Sequence, residues 1–121
     1  MELREKGYIE YNDIKINNLE KGELYIDISP KHLNPYGIVH GGVIYTLADT
    51  AMGVSLTDIG YFTTINSNIN FIKACKGGRI NTKVERLKVT KNMAFLNCYI
   101  YDNDDNLISE VSGTYYLYKE K

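Results

Sequence analysis

At 121 residues the chain is long enough for one hydrophobic core and too short for two, so a single domain over residues 1–121 is expected. A formal net charge of −1 lacks the basic surface that a nucleic-acid partner requires. The charged opening Met1-Glu2-Leu3-Arg4-Glu5-Lys6 leads into no apolar run of the secretory kind.

Residues Tyr8 to Ile16 alternate loosely, Glu20-Lys21-Gly22 has the composition of a turn, and Glu23 to Ile28 alternates polar and apolar. That pattern predicts a first hairpin. Ser29-Pro30 ends it, because proline cannot continue a paired central strand. His32 to Val39 reads as a loop, with turn chemistry at Asn34-Pro35-Tyr36-Gly37. Gly41-Gly42 then opens a helix of about four or five turns, ending near Thr57-Asp58-Ile59-Gly60.

Four strands are expected to follow: Thr63 to Cys75, Arg79 to Thr90, Met93 to Tyr101 and Leu107 to Tyr118. Turns at Lys76-Gly77-Gly78, Lys91-Asn92 and Asp102 to Asn106 separate them. Eleven tyrosines without a tryptophan fit this β-rich reading. Hairpin, long helix and four consecutive strands imply an α+β architecture, an antiparallel sheet curled around one helix with an edge free to pair in a dimer. Cys75 and Cys98 fall in different predicted strands and are expected to be reduced thiols, which fits the cytoplasm. Thr, Gly and Asp interrupt the helix, which argues against a membrane span.

The helix carries the chemistry. Across the forty residues Leu33 to Ile72 only Asp49 and Asp58 are charged, with no Lys or Arg. On a helical wheel Val43, Ile44, Leu47, Ala48, Ala51 and Val54 form one apolar stripe, and Asp49 projects roughly opposite with Tyr45, Met52, Gly53 and Leu56. A helix uncharged nearly all round is covered nearly all round, so a second subunit is expected on the far side. A buried carboxylate with no cation is costly without a compensating role. Asp49 is read as a general base or an acyl-attacking nucleophile, beside the plainer reading of a structural Asp bonded to backbone or hydroxyl groups.

At the helix start, the unpartnered N–H groups and the positive dipole end could receive a substrate oxygen with no side chain in the way. The plainer reading of Gly41-Gly42 is a tight loop-to-helix junction. Asp49 lies eight residues on, about 12 Å along the axis, too far to serve its own Gly41. If helices of two subunits run antiparallel, Asp49 of one approaches Gly41 of the other. Asn34 could hold a water or carbonyl or simply make the turn, and His40 could bind or merely cap. Two histidines, His32 and His40, with neither cysteine suitably near in sequence give only weak support for a metal site. P-loop, dinucleotide and nucleophile-elbow motifs are absent from the sequence. Lys73, Lys76 and Arg79 cluster at a turn, as a solvated face or a phosphate contact.

The run Asn34-Pro35-Tyr36-Gly37-Ile38-Val39-His40-Gly41-Gly42, continuing to Leu47-Ala48-Asp49-Thr50-Ala51, resembles the signature of hotdog-fold acyl-CoA thioesterases of the phenylacetate-pathway type. Ser67-Asn68-Ile69-Asn70-Phe71 resembles that family's strand after the helix, and Asp105 to Glu110 with Gly113-Thr114 resembles its last hairpin. The resemblance implies a sheet wrapped around one helix, with subunits joined edge to edge and often paired again into tetramers. It implies Gly41 as the oxyanion-hole amide, Asn34 and His40 positioning carbonyl or water, the partner's Asp49 as base or nucleophile, and Thr64 orienting water. Substrate and CoA contacts are expected at Gly42, Asn68, Lys73, Arg79 and Lys91. No cofactor or metal is implied, CoA being part of the substrate. Two departures bear on the nucleotide end: Ala74 where the family has Pro, and Lys91-Asn92 where its hairpin carries Gly-Arg. The expected activity is hydrolysis of a small or medium acyl-CoA, aromatic ones included. The rival is a non-catalytic hotdog module that binds acyl-CoA. A hotdog dehydratase ranks low, since His40 and Asp49 do not match that family's pattern.

Overall fold

A computed structural model describes residues 6–121. The opening residues read above for a secretory signal lie, apart from Lys6, outside the described residues.

A short helix α1 (Tyr8–Tyr11) precedes strands β1 (Lys15–Asn18) and β2 (Glu23–Asp27). A single 3₁₀ turn (Pro30–His32) leads to the long helix α2 (Gly41–Val54). Strands β3 (Gly60–Phe71), β4 (Arg79–Val89), β5 (Met93–Tyr101) and β6 (Leu107–Glu120) complete the described chain. All six strands join one antiparallel sheet in the order β1-β2-β4-β5-β6-β3. The sheet is wrapped on α2, which packs against β2 and all four later strands. This is the expected hotdog architecture. Its two edges differ: β1 has four residues and β3 has twelve.

The expected first hairpin is only half present. Tyr8 to Tyr11 turns helical because Tyr11 N–H bonds Gly7 O and Asn12 N–H bonds Tyr8 O, with the Asn12 side-chain amide also on Tyr8 O. The strand therefore starts at Lys15. Helix α2 stops at Val54, short of the expected end. There the N–H groups of Leu56 and Thr57 bond carbonyls three residues back, and the Ser55 and Thr57 hydroxyls bond Met52 O and Val54 O. These competing bonds tighten the last turn and close it.

The far side of α2 also needs correction. Met52 and Leu56 are fully buried in this chain's own core, beside Leu47, Ala48 and Ala51. At about 100° per residue the core stripe is centred on Ala48 and Ser55, which places Met52 inside it and Asp49 at its margin. Thr46, Thr50 and Gly53 face away, uncharged and only partly covered, while Val43 and Val54 pack against the edge of the core. One contact on that side comes from the N-terminal segment, where the Tyr8 hydroxyl lies 3.4 Å from Thr46 Oγ1. From the sheet, Leu24, Ile26, Ile80, Leu96, Ile100 and Val111 close the core. Gly113 on β6 is required by space: a Cβ there would lie 2.7 Å from the Tyr115 ring and 3.1 Å from Met52 Sδ.

Candidate active site

The loop before α2 is fixed by its own hydrogen bonds. Asn34 N–H donates to Ile38 O at 2.7 Å, and Asn34 Oδ1 accepts from the N–H groups of Tyr36 (2.9 Å) and Ile38 (3.2 Å). The Asn34 carboxamide oxygen is thus spent on the turn, and its NH₂ is the end left to meet a ligand. Val39 N–H to Cys75 O and His40 N–H to His32 O tie the loop to the rest of the molecule.

His40 caps the helix. Its Nδ1 accepts from Gly42 N–H at 2.8 Å, while Val43 and Ile44 N–H both bond His40 O. An accepting Nδ1 leaves the ring proton on Nε2, which faces solvent. Gly42, expected to touch substrate, has its amide occupied by this cap. Gly41 differs: among the described residues its N–H has no acceptor. A Cβ at position 41 would lie 2.9 Å from Cζ of Phe71, so the bare glycine lets that ring lie across the helix start. Phe71 itself is 57% exposed. A cleft of about 330 Å³ opens here, lined by Asn34, Gly41, Ile44, Phe71, Ile72 and Lys73 among others.

Asp49 lies two turns further along α2, against the sheet. Its Oδ1 accepts from Thr64 Oγ1 and from the Tyr115 hydroxyl, each at 2.7 Å. Thr64 on β3 and Tyr115 on β6 are direct cross-strand partners, so both hydroxyls rise from one rung of the sheet. Among the described residues no cation pairs with Asp49, and its Oδ2 carries no hydrogen bond. Burial, followed by the facing Asp49 charge, pushes the Tyr115 phenol well above its ordinary range, so it stays a donor.

The other expected contacts are dispersed. Lys73 lines the cleft. Arg79 is committed elsewhere: its guanidinium grips Asp27 at 2.7 and 3.2 Å and stacks 4.0 Å from the Tyr25 ring centre. Asn68 pairs with Ser112 between the inward pairs Ser67–Gly113 and Ile69–Val111, so it faces the outer side of the sheet. Lys91 is exposed in the β4–β5 turn, beyond Arg86, which meets the C-terminal end of α2 at Ser55 and Asp58. Tyr115 and Phe71 were not singled out in the sequence. The readable signal for Tyr115 was its place in the inward series Val111, Gly113, Tyr115 on a strand whose outward residues are polar.

Among the described residues no group of His, Cys, Asp and Glu could hold a metal ion. Cys75 and Cys98 are both free, and burial pushes the Cys98 thiol up to about 12, which keeps it inert. No described helix is long and apolar enough to cross a membrane.

Comparison with known proteins gives the fold and the family. An esterase-named protein of Thermoplasma acidophilum, Ta0293, is 24% identical over 118 residues, covering 93% of this chain and 89% of that protein. The PaaI protein of the E. coli phenylacetic acid degradation operon superposes with a TM-score of 0.88 at 16% identity, over 97% of this chain and 88% of that one. The smu.793 protein of Streptococcus mutans, solved bound to acetyl CoA, gives a TM-score of 0.85 at 21% identity, over 99% and 96%. Residues 36–109, which hold the capped glycine pair, Asp49 and Thr64, match the thioesterase superfamily, and the chain belongs to that family.

Proposed function

We propose that the protein hydrolyses acyl-CoA thioesters in a site shared between two copies of the chain. The observation that carries this is Asp49: a partly buried carboxylate without a cation, held at one oxygen by two hydroxyls and free at the other. Family membership supports a thioester substrate, and the acetyl CoA bound by the Streptococcus mutans neighbour supports CoA as its carrier.

The thioester carbonyl oxygen sits against Gly41 N–H at the positive end of α2, with the Asn34 NH₂ beside it. Asp49 of the partner copy takes a proton from water through Oδ2, and Thr64, whose own proton is given to Asp49, accepts the other water hydrogen. The water oxygen bonds the acyl carbon, and the carbonyl electron pair moves to the oxygen held by Gly41. Collapse restores the carbonyl and breaks the carbon–sulfur bond. The CoA sulfur leaves with the electron pair and receives the proton from Asp49. The products are a free acid and CoA, and no cofactor is consumed.

Ile44, Phe71 and Ile72 in the cleft support a small or medium apolar acyl group, aromatic ones included, and Lys73 among the lining residues supports a contact to a CoA phosphate. The pairing edge is β3, twelve residues long and unblocked by proline, and the uncharged outer side of α2 faces the same partner. Dimers joined this way can pair again into a dimer of dimers.

Thiol release from a panel of acyl-CoAs tests the reading. Turnover of at least one substrate is expected, with Asp49→Asn slower by on the order of a hundredfold or more. No release from any substrate, with thermal stabilisation by CoA, would instead identify a binding module.

A further inference from the structure

We propose that Tyr115 is a positioning residue for this hydrolysis, forming with Thr64 a two-hydroxyl fork that fixes one oxygen of Asp49 and leaves the other to the reacting water. The inference rests on the reading of Asp49 as the base. A carboxylate on a helix can turn about χ1 and χ2 and present either oxygen. Here both donors converge on Oδ1 at 2.7 Å, from opposite strands of one rung, and Oδ2 is unbonded among the described residues. Two donated protons draw charge onto Oδ1 and lock the plane of the group. The remaining lone pairs, on Oδ2, are the ones available to a proton.

Tyr115 suits this task better than a second Thr would. Its ring is 1% exposed and wedged against Gly113, whose missing Cβ gives it room, so the hydroxyl cannot swing away. The phenol also stays protonated next to the anion. A purely structural account is that a buried tyrosine hydroxyl needs some acceptor. The two accounts differ in what happens to turnover when the hydroxyl alone is removed.

Tyr115→Phe keeps the ring and deletes the donor. Acyl-CoA hydrolysis by wild type, Tyr115→Phe and Asp49→Asn is measured side by side. The expected result is a kcat about tenfold lower in Tyr115→Phe with KM within about twofold, because Asp49 is misaligned while substrate contacts are untouched. Unchanged kcat in Tyr115→Phe, with Asp49→Asn inactive, overturns the fork alone. Full turnover by Asp49→Asn overturns the reading of the site and the fork with it. A spectroscopic measurement is independent of activity: the Cζ resonance of Tyr115, identified by its loss in Tyr115→Phe, should move in Asp49→Asn. A resonance that stays in place contradicts the contact.

Discussion

Thr64 and Tyr115 face each other across the β3–β6 ladder, and both hydroxyls donate to the same oxygen of Asp49 at 2.7 Å. This relationship answers the cost of placing a carboxylate on an otherwise uncharged helix. Two hydroxyl donors replace part of the lost hydration and need no counter-ion.

Gly41→Ala tests the helix start. The amide survives the change, but the new Cβ presses on the Phe71 ring, and that exposed ring can move aside. The fold should persist by circular dichroism while turnover falls about tenfold or more, since the displaced ring and the methyl crowd the carbonyl away from the N–H. Full activity would mean that the methyl and the displaced ring do not reach the carbonyl, which contradicts a thioester lying against this helix start.

Lys73 and Arg79 should behave differently despite their closeness in sequence. Lys73→Ala should raise KM for acyl-CoA a few-fold, an effect that shrinks with added salt. Arg79→Ala should leave KM alone, because that guanidinium is held by Asp27 and Tyr25. Steady-state kinetics at two ionic strengths checks both, and a larger KM effect at Arg79 would reverse the assignment.

In the sequence, Asp49 stands out because the run around it is otherwise almost uncharged, Gly41 and His40 because they sit at the start of the helix, and the succession of strands along the chain follows from alternating patterns broken by clear turns. Tyr115 was hidden because it lies sixty-six residues from Asp49 in sequence, and only strand pairing brings them together. Met52 and Leu56 join the core because the covered face of α2 is wider than the apolar stripe from Val43 to Val54, and hydrophobicity alone does not distinguish core from a face awaiting cover. Arg79 looked free because its partner Asp27 sits on a strand that is remote in sequence and adjacent in the sheet.

Arg86 closes the C-terminal end of α2, bonding both Ser55 O and the Asp58 carboxylate. Its removal should cost about 1 kcal/mol, the pair being half-exposed, and lower the melting temperature by a few degrees. The Arg86 guanidinium holds the Asp58 carboxyl below its ordinary value of 3.8. A depressed carboxylate contributes stability above its unfolded value and loses it as pH falls through the folded one. The gap between wild type and Arg86→Ala in thermal melts should therefore narrow below about pH 3.8; a gap that widened there would contradict the pairing.

Association is the remaining requirement. Light scattering should give a mass at least twice the 13.8 kDa of one chain. A stable monomer with full turnover would sink the shared site.

Complementation reaches the central claim most directly. Asp49→Asn retains Gly41, and Gly41→Val retains Asp49, so each homodimer lacks a working site. Co-expressed, random pairing makes about half the dimers mixed, each with one intact site formed by Gly41 of one chain and Asp49 of the other. Thiol release should recover to about a quarter of the wild-type rate, while either variant alone stays near background. No recovery from mixed dimers, shown to be present by mass spectrometry, would mean that the site lies within one chain.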